Sequence, residues 1–192
     1  MNFIQVWLVG LINPARSFDE LKAKPAPNWG FLAVLIRFLL TSIFVTLPLY
    51  LLGREPFASS SLTFLTTRNY YAAQLLILPI FGVTIWLLMS AFAHLVLRLA
   101  GKGSDFDLIL NIVGMGMLIP IPVVWVWDIT MIALNLYVLP VMAISHSIFQ
   151  LWETSLEAVG FIKLLRLKVV PAVCLALIIN AIYVALAATF IR

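Results

Sequence analysis

The sequence predicts an all-α, polytopic transmembrane helical bundle of five spans, the third distorted by glycine and proline, and three observations predict it. Hydrophobic residues make up 64% of the 192 positions and charged residues only 10%, whereas a soluble domain carries about a quarter charged residues. The apolar residues are gathered into five long runs separated by short polar breaks, on the scale of the roughly 20 residues a helix needs to cross a hydrocarbon core. The runs lack the alternation, in segments of about ten residues, that marks barrel strands. A backbone in lipid satisfies its hydrogen bonds only as helices or a closed barrel, so helices remain.

Residues 1–28 read as a cytoplasmic, interfacial amphipathic segment and residues 29–192 as the five-span transmembrane domain. Met1 to Ile12 is apolar but too short to span, and it has neither the basic lead nor the small-x-small site of a signal peptide. It is expected to lie in the interface with Phe3 and Trp7 at headgroup depth. Asn13 and Pro14 fit the cap and first position of a second short helix, which Pro25 stops.

The first span is expected over Trp29 to Leu52, with Pro27 ahead of it and Gly53 just past it. Its one charge, Arg37, has a stem long enough to snorkel to the headgroups, or it pairs within the bundle. The second, Tyr70 to Leu99, is long enough to tilt and contains Pro79. The third, Phe106 to Trp127, holds Gly114, Gly116, Pro120 and Pro122. Two prolines at spacing two each remove a backbone donor, so a distortion is expected between Gly114 and Pro122. The fourth, Ile129 to Trp152, follows with only Asp128 between, which demands a tight turn. The fifth runs from Val169 to Ile191, and Ala172, Ala176, Ala181, Ala185 and Ala188 give it small residues for close packing.

Orientation follows from the Lys and Arg count in short loops. Arg16, Lys22, Lys24, Arg98, Lys102, Lys163, Arg166 and Lys168 all fall on one side, and Arg54, Arg68 and Arg192 on the other. The amino terminus is therefore expected in the cytoplasm and the carboxyl terminus outside, in the plasma or inner membrane if the chain is prokaryotic. The same distribution explains the net charge of +4 by topology, without nucleic acid. Cys174 is the single cysteine, so no internal disulfide forms.

An ionisable group within a membrane is a functional candidate by default. In the fourth run Asp128, Asn135, Met142 and His146 recur at helical intervals, which puts them on one face of one helix pointing into the bundle. Such a face serves either as interhelical hydrogen bonds or as a polar track for a proton, an ion or a headgroup. His94 reads as a packing histidine. Enzyme templates fail: Gly101-Lys102-Gly103-Ser104 has Val96 where a phosphate loop needs glycine, and the chain holds neither Gly-x-Ser-Gly nor His-x-x-x-His. The expected spans hold no acidic pair. The residues thus assign no catalytic group, cofactor or metal, and identify no small-molecule substrate. The partners expected are the lipid bilayer and, within it, other membrane proteins or further copies of the chain.

The order of features resembles the Yip family, the Ypt/Rab-interacting polytopic membrane proteins and their prokaryotic relatives. Asn13-Pro14-Ala15-Arg16-Ser17-Phe18 is similar to the Pro-x-x-x-Phe stretch before that family's first span, and Gly101-Lys102-Gly103-Ser104 to the glycine-rich loop before its third. Val113-Gly114 followed by Ile119-Pro120 resembles the Gly-Tyr and downstream proline of the third span, with Met115 in place of the tyrosine. Leu151-Trp152 and Val159-Gly160 resemble the loop after the fourth. The resemblance implies five spans and a non-enzymatic scaffold or adaptor that binds membrane partners or lipids. The long amino-terminal region of the trafficking members is not present, so the chain looks like the short prokaryotic ones. The alternative the residues leave open is a small-solute, ion or proton transporter or channel.

Overall fold

A computed structural model describes residues 1–23, 28–58 and 65–190, which are helical apart from connecting turns, with no strand among them. Lys24, Pro25, Pro27 and Arg192 lie outside the described residues.

The amino-terminal segment is a helical hairpin, α1 (Phe3–Ile12) and α2 (Pro14–Ala23). Asn2 and Gln5 form a reciprocal capping box at the start of α1. As the sequence predicts, Asn13 caps α2 and Pro14 opens it, with the Arg16 amide donating to Asn13 Oδ1 at 3.1 Å. The hairpin packs against the bundle. Val6, Phe18 and Leu21 are buried against the bundle, Ser17 Oγ donates to the Val6 carbonyl at 2.9 Å, and Lys163 pairs with Asp19 at 3.3 Å.

Among the described residues four helical units are long and apolar enough to cross a membrane: Asn28–Leu51, Tyr70–Leu99, Phe106–Ala133 and Val169–Phe190. The first consists of α3 (Asn28–Thr41), a π-helical turn (Ser42–Thr46) and α4 (Leu47–Leu51). Pro48 cannot donate to the preceding turn, and the wider π turn, with the Leu47 amide on the Ser42 carbonyl, absorbs that defect. The second unit is α5 (Tyr70–Leu99), with the bounds expected from sequence. Gly101, at φ 69, then closes it with the Gly101 and Lys102 amides folded back onto Arg98 and Leu97. The glycine-rich Gly-Lys-Gly-Ser is thus a helix stop that exploits glycine's left-handed freedom. His94 packs edge-on to Phe106 and bonds Ser104 at 2.9 Å.

The third unit, α6 (Phe106–Leu118) and α7 (Ile121–Ala133), runs through the middle of the bundle, and every residue from Asn111 to Pro120 is buried. The distortion is narrower than the sequence predicts. Only Ile119 and Pro120 interrupt the helix, and both keep right-handed helical dihedrals. Gly114 and Gly116 take no part in it. They are contact points: a Cβ on Gly114 would strike the backbone of Gly30, one on Gly30 would strike the Leu110 carbonyl, and one on Gly116 would meet Glu157. Backbones this close need the absent side chain, and the Gly30 amide donates to Asn111 Oδ1 at 2.7 Å across the same crossing.

The turn between the third unit and the next helix is displaced from the position expected. Asp128 is not a turn residue but lies inside α7, buried at 3% exposure. The chain reverses at Leu134–Val138, where Asn135 takes φ 64 and the Leu136 and Asn135 amides bond back to Met131 and Ile132. Asn tolerates the left-handed region that this stop requires. The following helix α8 therefore spans Leu139–Leu165, not Ile129 to Trp152. Pro140 sits in its first turn, where a missing donor costs nothing, and Trp152 to Gly160 is helix, not loop. The last helix, α9 (Val169–Phe190), packs on α8 and α5. Its Ala172 and Ala176 are buried, as close packing requires, but Ala181 and Ala185 face outward.

Candidate functional site

The helix the sequence divides wrongly carries the polar interior. His146, Gln150, Glu153 and Glu157 follow one another along α8 at spacings of four, three and four, which places them on one face. An acidic pair does sit within a helix of the bundle, contrary to the sequence expectation. Both carboxylates are enclosed, Glu153 at 3% and Glu157 at 0% exposure.

Each finds a different partner. Arg37 Nη1 lies 2.8 Å from Glu153 Oε1, donates to the Met117 carbonyl at 2.6 Å, and Nη2 reaches Tyr183 at 3.4 Å. Arg37 thus neither snorkels nor faces lipid. It ties α3, α6, α8 and α9 together, and the Phe38 and Tyr183 rings flank its guanidinium. Among the described residues no cation pairs with Glu157; Asn180 Nδ2 donates to it, and Gln150 donates to Asn180 in turn. The group holds one guanidinium for two carboxylates.

The proline interruption explains part of this arrangement. Pro122 has no N–H to give to the Leu118 carbonyl four residues back. Trp7 of the hairpin donates its indole N–H there instead, at 3.0 Å, and Arg37 covers the neighbouring Met117 carbonyl. Trp7 thus joins the hairpin to the third unit. In a hydrocarbon interior a helix break persists only where neighbours supply such donors, and here one comes from the hairpin and one from the first unit.

Of the residues predicted to share a face, the structure brings two together by another route. Asp128 on α7 and His146 on α8 stand across the helical reversal with Oδ1 and Nε2 3.6 Å apart. Asn135 is not on that face. It is exposed in the turn and accepts from Arg54. Met142 is buried on α8 one turn before His146, whose Nδ1 bonds the Met142 carbonyl at 3.0 Å.

Between these groups and the end of the bundle remote from the hairpin lies a cavity of about 470 Å³. Arg37, Asp128 and His146 contribute its ionisable side chains, Gln74, two threonines and four tyrosines its neutral polar groups, and apolar side chains such as Val45, Leu49, Leu78 and Val124 most of the rest. At its outer margin Tyr137 stacks on Phe57 with ring centroids 5.4 Å apart. Two lining oxygens, Asp128 Oδ1 and Gln74 Oε1, are buried and accept no hydrogen bond from a described residue. Among the described residues no three His, Cys, Asp or Glu side chains converge on a metal site.

Sequence reasoning missed Gln74, Glu153, Glu157, Asn180 and Tyr183. The helical spacing of His146, Gln150, Glu153 and Glu157 was the available signal, and ending the run at Trp152 hid it. Fold and interior define the chain as an all-helical protein of the membrane type, with long apolar helices around a charged, partly hollow interior. No family model, curated protein or solved structure matches it.

Proposed function

We propose that the chain is a five-span integral membrane protein of the Yip type, with its hairpin in the cytoplasm, that acts without chemistry of its own by binding membrane lipids or membrane partners. The observation that carries this is the cavity: its largely apolar wall with a few polar groups at the inner end is the composition of a site for a membrane-soluble ligand. In this reading α8 is the fifth span. Its 27 residues reach about 40 Å at 1.5 Å per residue, and its carboxylates face the bundle, where they are tolerated. The orientation is supported by the grouping of cations. Arg16, Lys22, Arg98, Lys102, Lys163, Arg166 and Lys168 flank helix ends on the hairpin side, the side the positive-inside rule assigns to the cytoplasm.

One observation favours a second reading. Glu153 and Glu157 continue inward from the cavity along α8, and such carboxylate chains mark proton or ion paths in transporters. A flux assay on purified protein in proteoliposomes separates the two. The binding reading expects proton, cation and small-solute leak equal to that of empty liposomes, with lipid retained through purification and visible by native mass spectrometry. Reproducible flux abolished by Glu157→Gln in a folded protein would replace it with transport.

A further inference from the structure

The cavity has a chemical preference that follows from which of its polar groups are already engaged. Arg37, the one permanent cation in the lining, is taken up by Glu153, the Met117 carbonyl and Tyr183, so it offers little to an anionic ligand. The fully buried lining atoms without a partner among the described residues are acceptors. Asp128 Oδ1 and Gln74 Oε1 belong to side chains at 3% and 1% exposure and accept no hydrogen bond from a described residue. His146 stands too far from Asp128 Oδ1, at 3.6 Å, for a hydrogen bond. Gln74 Nε2 donates to the Phe190 carbonyl at 2.9 Å, which fixes its amide with the oxygen free. A buried acceptor without a donor is costly, and a carboxylate more so.

We propose that this cavity binds an amphiphile through a primary ammonium group, whose N–H donors are taken by Asp128 and Gln74 while its hydrocarbon lies along Val45, Leu49, Leu78 and Val124. The aromatic margin suits the same charge, because the faces of Tyr137 and Phe57 attract cations. A bare metal ion fits less well. The volume is that of an organic ligand, and Asp128 and His146 have no third ionic ligand beside them among the described residues. The ammonium could belong to an aminophospholipid headgroup or to a free long-chain amine, and the two share this chemistry. The inference rests on the cavity being a binding site, but it is read by equilibrium binding and not by flux. A transporter would still bind the amine, so the two readings fail separately.

The test uses the full chain in phosphatidylglycerol nanodiscs, with empty discs subtracted, and measures binding of decylamine, decanol and decanoate. Saturable binding of decylamine at one equivalent is expected, with decanol and decanoate failing to compete. Asp128→Asn should weaken it by about tenfold or more, the loss expected when a hydrogen bond to a charged group is removed. Gln74→Met, which keeps the volume and removes the acceptor, should weaken it severalfold and keeps the test open if Asp128→Asn does not fold. Adding phosphatidylethanolamine to the discs identifies the source: loss of decylamine binding by competition assigns the site to a lipid headgroup, and undiminished binding assigns it to a free amine. Decylamine bound no better than decanol, decanoate bound more tightly, or wild-type affinity in the folded variants would overturn the proposal.

Discussion

Replacing Arg37 with methionine removes the cation paired with Glu153 and leaves three acceptors behind it. Glu153, at 3% exposure, loses its ion pair, the Met117 carbonyl loses its donor, and Tyr183 loses the hydrogen bond from Arg37. Removing one member of a buried ion pair costs about 3–5 kcal/mol, because the other charge is stranded. Arg37→Met combined with Glu153→Leu strands no charge and leaves chiefly the Met117 carbonyl unpaired, for about 1–3 kcal/mol. Both variants leave the Met117 carbonyl unpaired, so that cost cancels, and the double variant should be more stable than Arg37→Met alone by about the 3–5 kcal/mol of the stranded charge. Unfolding in mixed micelles of dodecylmaltoside and dodecyl sulfate, followed by tryptophan fluorescence, measures both variants against the wild type. If the double variant is as unstable as the sum of the two single ones, the groups act independently and the cross-brace assigned to Arg37 is wrong.

Trp7→Phe keeps an aromatic ring but withdraws the indole donor from the Leu118 carbonyl. A thermal unfolding loss of about 1–3 kcal/mol is expected, and Pro122→Ala in the same protein should restore part of it by returning a backbone N–H to that carbonyl. Gly114→Ala or Gly30→Ala drives a methyl group into the facing backbone and should destabilise by about 1–3 kcal/mol or more; unchanged melting in detergent would contradict the close approach of α3 and α6. In a Cys174→Ala background, a cysteine replacing Arg68 should react with a membrane-impermeant label added outside cells and one replacing Ser104 should not, and the reverse pattern would invert the proposed orientation.

The apolar runs were legible wherever a single helix begins and ends on its own signals. Tyr70 to Leu99 has a polar stretch before it and a glycine stop after it, and the sequence and structure agree on its bounds. Polarity misleads where it marks pairing inside the bundle and not chain reversal. Asp128 reads as a turn because it is charged, yet the interior supplies His146 across from it, and the reversal falls at Asn135, whose signal is tolerance of positive φ and not charge. Glu153 and Glu157 read as a loop for the same reason. Hydropathy scores each residue against lipid, whereas these two face Arg37 and Asn180, and a partner eighty positions or more away in the chain, as Arg37 is from Glu153, leaves no local trace. Gly114 and Gly116 read in sequence as part of a helix break; what they permit is proximity, which depends on Gly30 and Glu157 opposite them.

The interruption at Ile119 and Pro120 also bears on the order in which the protein is made. Its uncovered carbonyls are capped by Trp7 and Arg37, and both precede them in the chain. During synthesis from the amino terminus the hairpin and the first apolar helix are therefore already complete when the broken helix leaves the ribosome, so the donors are in place before the acceptors need them. Glu153 is made only afterwards. The Arg37–Glu153 ion pair therefore closes only once α8 has been made.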